Sequence, residues 1–200
     1  LDSLPEQPSA DLEGGKELAL SIVEEQAPAE GVSNVEALLK PLFNEYVHKG
    51  FNTAGPGYLA YIPGGGIFYA ALADLISKSM NRFVGISEPS PALSQLEANT
   101  IRWFCQAVGY SNEARGTLTS GGSMANLTGV VAARENIVPD QFNRGTVYFS
   151  DQCHYSIQKS LKIAGIAEQN FRVIPTQEDC KIDLAVLRKQ ITQDIQNDLR

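Results

Sequence analysis

Between Thr117 and Leu127 the chain reads TLTSGGSMANL, a β-compatible run that meets two adjacent glycines and continues into a helical pattern. Few arrangements satisfy such a run except a strand, a tight turn and a helix. Gly121 and Gly122 carry no β-carbon, so their backbone amides are able to approach an anion closely. The helix that follows presents unpaired N–H groups and a positive dipole end. Ser120 and Ser123 add hydroxyl donors. Charge-assisted hydrogen bonds contribute roughly 1.5–3 kcal/mol each, so a few such donors would hold a phosphate without a lysine. The same spacing also suits a tight turn that holds no ligand, and spacing alone leaves both readings open. Other nucleotide loops are absent: there is no G-x-x-x-x-G-K-[ST], and Gly64-Gly65-Gly66 lacks the G-x-G-x-x-G spacing.

Downstream, strand-like and helix-like patterns alternate. Gly116–Thr119, Thr146–Ser150 and Phe171–Ile174 read as strands. Met124–Arg134, Ser156–Ala164 and Asp183–Gln196 read as helices, the last capped by Asp183 with Leu184, Leu187, Ile191 and Ile195 expected to face inward. This order predicts an α/β fold with parallel strands joined by right-handed crossovers. The second strand runs into Asp151-Gln152-Cys153-His154-Tyr155-Ser156. His154 is thereby placed at the carboxyl edge of the sheet, where open α/β sheets bind ligands. A lone histidine is more often a structural residue than a functional one, but its place after the strand neighbouring the glycine turn tips the balance modestly toward a functional one.

Upstream, Ser33-Asn34-Val35-Glu36 has capping-box spacing and predicts a helix over Ser33–Lys49. FNTAGPGYLAYIPGGG, residues 51–66, reads as an aromatic loop, followed by a helix over Ile67–Met80. Leu93, Leu96, Phe104 and Ala107 form a helical stripe closing at Gly109. Leu1–Gly15, with Pro5, Pro8 and Gly14-Gly15, has the composition of a frayed terminus.

Charge narrows the partners. With 16 basic against 23 acidic side chains the formal charge is −7, and no Lys/Arg stripe with interleaved aromatics is present, so nucleic acid is not an expected partner. Cys105, Cys153 and Cys180 are widely separated and form no C-x-x-C pair, which speaks against a structural metal and for free thiols. There is no apolar run of about 18 residues and no signal-peptide charge pattern at Leu1. A cytoplasmic location with no membrane partner is therefore expected. Asn126-Leu127-Thr128 matches a glycosylation acceptor but sits at a helix start. No nucleophile–base pair or paired carboxylates lie near the glycine turn, which disfavours a phosphatase or kinase.

GTLTSGGSMANLTGVVAAR, followed by VYFSDQCHYSIQKSLKIAG, resembles the pyridoxal-phosphate-dependent group II decarboxylases, the aromatic amino-acid and glutamate decarboxylase family. The similarity runs from about Phe51 to Pro175. It implies the start of a type I pyridoxal-phosphate (aspartate aminotransferase-like) large domain with a parallel-rich sheet, preceded by a helical N-terminal segment. The corresponding division is residues 1–90, carrying the aromatic loop, and 91–200, the first part of the cofactor-binding α/β domain. The resemblance further implies pyridoxal 5'-phosphate as cofactor, an L-amino acid as substrate, decarboxylation as the reaction and a homodimer as the assembly.

Position by position, Gly122 and Ser123 match the family's phosphate-binding turn, and His154 matches the histidine that stacks on the pyridine ring. Tyr61, Ile62 and Pro63 match the segment that reaches toward the substrate side chain. Aromatic-specific members carry a ring where Ile62 stands, which puts an aromatic preference in doubt. The family's Schiff-base lysine and pyridine-nitrogen aspartate match nothing here and are expected beyond Arg200, so a truncated chain, inactive by itself, is expected. His48-Lys49 copies a His-Lys pair superficially and reads as a solvated helix terminus. Two alternatives remain: another carbon–carbon lyase, sphingosine-phosphate-lyase-like, or a non-catalytic oligomerisation or binding fragment.

Overall fold

The structure, a computed structural model, describes residues 4–22, 34–61, 66–137 and 144–199. The chain divides into two compact units, Leu1–Ser90 and Pro91–Arg200.

In the first unit, β1 (Ala10–Asp11) precedes α1 (Gly15–Ile22) and α2 (Val35–Asn44), and β2 (Gly50–Phe51) precedes α3 (Phe68–Met80). β1 pairs antiparallel with β2, Ala10 opposite Phe51 and Asp11 opposite Gly50. The expectation of a frayed start is therefore corrected from Ser9 onward. Its carbonyl accepts the Asn52 amide at 3.0 Å, and Gly55 packs so closely that a β-carbon there would lie 2.8 Å from Ser9 Cα. Composition could not show this, because the partner strand lies about forty residues away.

α2 is also shorter than its spacing predicted. Asn34 caps it, its side-chain oxygen accepting from the amides of Glu36 at 3.0 Å and Ala37 at 3.3 Å. Ser33, the expected cap, lies outside the described residues. Pro41 sits inside the helix, which ends at Asn44, and the chain tightens into a 3-10 turn at Tyr46–His48 before β2. His48 and Lys49 are exposed at the end of that turn, as read from the sequence, and Lys49 Nζ reaches both carboxylate oxygens of Asp11, at 2.9 and 3.0 Å.

The second unit comprises α4 (Pro91–Ala107), α5 (Gly122–Ile137), β3 (Val147–Ser150), α6 (Ser156–Ile163), β4 (Phe171–Ile174) and α7 (Leu184–Gln196). α4 stops where Gly109 adopts a φ of +79°, a conformation glycine takes at little cost, and the Tyr110 amide bonds back to the Cys105 carbonyl at 2.9 Å. β3 and β4 are parallel, with Val147 opposite Phe171 and Ser150 opposite Ile174. Between them α6 packs on the sheet, and Leu161, Phe149 and Ile166 form the core, with Val130 of α5 against it. Phe149 and Phe171 meet edge to face with ring centroids 5.9 Å apart.

Two expectations fail here. Gly116–Thr119 is not a strand, because it pairs with neither β3 nor β4, and an extended run becomes a strand only through a ladder partner. On α7, Leu187 and Ile191 are half-buried but Leu184 and Ile195 are exposed. The residue that α7 buries is Asp194, at 3% exposure, because the groove it faces holds a cation rather than an apolar surface.

Candidate functional site

The glycine turn opens α5. The Gly121 carbonyl accepts the amides of Met124 and Ala125, each at 3.1 Å, and the Thr119 hydroxyl donates to the same oxygen at 3.1 Å. The first amides of the helix, from Gly122 onward, lie ahead of that ring of bonds and point along the helix axis, as the first-turn donors of any helix do. A β-carbon added at Gly121 or Gly122 would meet nothing within 4 Å. Neither glycine has a positive φ. Their small size is therefore not required by the fold, and the space in front of the helix is open to a ligand.

His154 follows β3, as its position in the sequence predicts. Its Nδ1 lies 2.8 Å from the Ser156 hydroxyl and accepts the Ser156 amide at 3.2 Å. The Tyr155 ring packs against the imidazole with centroids 4.3 Å apart and planes tilted by 36°. Ser156 itself is buried, at 1% exposure. The bond that joins the two halves of the site runs from Asn126 Nδ2 to the Ser156 hydroxyl at 2.9 Å, linking the second turn of α5 to the first residue of α6. The turn carrying Gly122 and Ser123 and the loop carrying His154 are thus neighbours fixed by a side-chain hydrogen bond.

Asn126 and Ser156 escape a reading by sequence. Asn126 attracts notice only as a glycosylation acceptor, a role that its engaged amide contradicts. The available signal was spacing: Asn126 lies four residues after Gly122 and three after Ser123, hence on the same helix face. Cys153, beside His154, packs against the core, and burial pushes its thiol up, away from a nucleophile's range. Tyr61 belongs to the first unit, exposed and with a φ of +57°; Ile62 and Pro63 lie outside the described residues. Among the described residues no cluster of His, Cys, Asp or Glu suits a metal ion, and no helix is long and apolar enough to cross a membrane.

A mostly apolar cavity lies at the opposite end of β3, lined by Val130, Ala133, Ile137, Val147, Leu161 and Ile166 together with Arg134, Gly145 and Thr146. The chemistry-bearing groups sit at the carboxyl end of the strand.

Comparison with known proteins bears on this arrangement. The family model described as "Pyridoxal-dependent decarboxylase conserved domain" matches residues 22–199. The aromatic-L-amino-acid decarboxylase of Bacillus atrophaeus is 33% identical over 157 residues, covering 78% of this chain and 32% of the relative. The L-2,4-diaminobutyrate decarboxylase of Acinetobacter baumannii is 26% identical, covering 84% and 37%. Among solved structures, Catharanthus roseus tryptophan decarboxylase in complex with L-tryptophan superposes with a TM-score of 0.83 at 26% identity, over 99% of this chain and 45% of that one. Oryza sativa TDC with PLP and tryptamine gives 0.82 at 25%, over 99% and 45%. The chain spans about a third of the length of these two curated relatives and under half of these two structures.

Proposed function

Because this chain belongs to the pyridoxal-dependent decarboxylase family, we propose that it binds pyridoxal 5'-phosphate at the start of α5 and contributes the phosphate and ring-stacking half of an L-amino-acid decarboxylase site. The observation that carries the reading is the open helix start at Gly121-Gly122, tied through Asn126 and Ser156 to an imidazole. Those residues fit the cofactor. A phosphoryl group requires donors and room, and both exist at Gly122 and Ser123. A planar ring requires an aromatic partner, which His154 supplies.

When bound, the cofactor supplies an electron sink for the pair released as the carbon–carboxylate bond breaks. The chain contributes positioning. The α5 amides and the Ser123 hydroxyl hold the phosphate, its charge favoured by the helix dipole. His154, braced on one side by Tyr155 and at Nδ1 by Ser156, sets the plane of the ring. Fixing that plane is what lets one bond of the substrate be held perpendicular to it, and orientation of this kind accounts for several kcal/mol of barrier lowering. Tyr61, with Ile62 and Pro63, is assigned to the substrate side chain on the family resemblance.

Decarboxylation is preferred over another carbon–carbon lyase reaction because the relatives named above are decarboxylases of aromatic amino acids and of diaminobutyrate. That spread in side chains leaves the substrate class at L-amino acids. The same reading includes a type I cofactor domain from residue 91 with a parallel-rich sheet, a helical segment over 1–90, a homodimer and a cytoplasmic location. Its test is cofactor retention. The protein with Gly122→Val and Ser123→Ala is expected to lose pyridoxal phosphate on dialysis that wild type retains, read by absorbance; equal content in both would overturn the assignment.

A further inference from the structure

We infer that Asn126 and Ser156 are positioning residues that decide which ring nitrogen of His154 carries the proton. The inference rests on the reading of His154 as the cofactor-stacking residue, but the geometry behind it is independent of the cofactor.

The Ser156 amide hydrogen is directed at His154 Nδ1 at 3.2 Å. A proton on Nδ1 would face that hydrogen, donor against donor, which disfavours but does not by itself exclude it. The Ser156 hydroxyl, 2.8 Å from the same nitrogen, has one proton to give. Asn126 Nδ2 donates to the hydroxyl oxygen at 2.9 Å. An amide nitrogen cannot accept, so the serine proton is directed to the only acceptor left to it, Nδ1. The chain of donation runs Asn126 to Ser156 to His154, and the neutral ring therefore carries its proton on Nε2. Among the described residues no partner takes Nε2. The ring thus presents a fixed donor edge rather than an exchanging mixture, and the group bonded to one imidazole nitrogen is what sets the state of the other.

Burial makes the arrangement durable. Ser156 is 1% exposed, so water does not compete for its hydroxyl. Both ends of the chain are anchored in helices, Asn126 in α5 and Ser156 at the start of α6.

The test uses a spectroscopic signature that a merely structural role would not move. The sequence holds two histidines, His48 and His154. A 15N-histidine-labelled sample gives one ring spin system per histidine, and His154→Gln identifies the one that belongs to His154. At a pH where the ring is neutral, wild-type His154 is expected as the single Nε2–H tautomer. Asn126→Asp, nearly the same in size, reverses the donation: its carboxylate accepts the serine proton and turns it away from Nδ1. A shift toward the Nδ1–H ring is expected there, because the serine oxygen then offers Nδ1 a lone pair, whereas Ser156→Ala keeps the backbone N–H that faces Nδ1 and is expected to keep the Nε2–H ring. An Nδ1–H ring in wild type, or an unchanged tautomer in Asn126→Asp, overturns the inference. Titration of the same samples with pyridoxal phosphate separates the two readings. Failure of wild type to bind the cofactor removes the proposed function and leaves the tautomer assignment standing; binding with an unchanged tautomer does the reverse.

Discussion

Arg172 of β4 and Asp194 of α7 form a two-point ion pair in the second unit, with Nη2 2.7 Å from Oδ1 and Nε 2.9 Å from Oδ2. The Tyr148 hydroxyl of β3 donates to Oδ2 at 2.9 Å, and Gln190 Nε2 does so at 3.2 Å. Both strands are therefore joined to α7 through one carboxylate. The pair is largely out of water, with side-chain exposures of 15% and 4%.

Asp194→Ala leaves a guanidinium without its partner in that setting. Breaking a buried pair on one side costs about 3–5 kcal/mol. Denaturant unfolding should show a lower midpoint by that amount; a loss under about 1 kcal/mol would mean the pair is solvated in solution. Replacing Arg172 and Asp194 together should cost less than the two single losses added.

The same pair predicts an acid limb. Hydrogen bonds from Arg172 hold the Asp194 carboxyl below its ordinary value, with burial opposing them. A carboxyl depressed on folding contributes stability that is complete above its unfolded pKa, near 4, and is lost as pH falls through the folded value. Wild type should therefore lose stability below about pH 4 more steeply than Asp194→Asn. Parallel curves for the two proteins would contradict this.

Gly122→Ala should act oppositely on stability and on binding. The added methyl meets nothing within 4 Å, and alanine is favoured over glycine in a helix by up to ~1 kcal/mol. The thermal midpoint should hold or rise while cofactor retention falls. A variant that loses both would place Gly122 in the fold rather than the site.

In a complete enzyme that carries the Schiff-base lysine, His154→Ala should reduce turnover more than occupancy. Loss of the ring removes orientation and any proton it donates, an effect on the order of 10²-fold in kcat, while the phosphate keeps its donors at Gly122 and Ser123. Steady-state decarboxylation beside cofactor content measures both; unchanged turnover would take His154 out of the mechanism.

Lys49→Ala should cost little. The pair with Asp11 is partly exposed on both sides, at 33% and 44%, and exposed pairs contribute roughly 0.2–1 kcal/mol. The small loss should shrink further in high salt, and a salt-independent loss would point to packing of the lysine stem instead.

Much of the second unit was readable in one dimension. Strand propensity at Val147–Ser150 and Phe171–Ile174, the Asp183 cap whose oxygen accepts from Ala185 and Val186 at 2.8 and 3.1 Å, and the glycine pair before α5 are all local features. So was the position of His154, since a residue just after a strand is at that strand's edge whatever else the fold does. In each case the causes lie within a few residues, where spacing and propensity act.

What the tertiary structure decided are relations between residues far apart along the chain. The pairing of β1 with β2, the burial of Asp194 in place of Leu184 and Ile195, and the bond from Asn126 to Ser156 all depend on what a distant segment presents. An amide and a hydroxyl thirty residues apart carry no mark of each other in sequence. They meet because α5 and α6 pack over the same strand, and once there each must satisfy its hydrogen bonds with whatever the other helix provides.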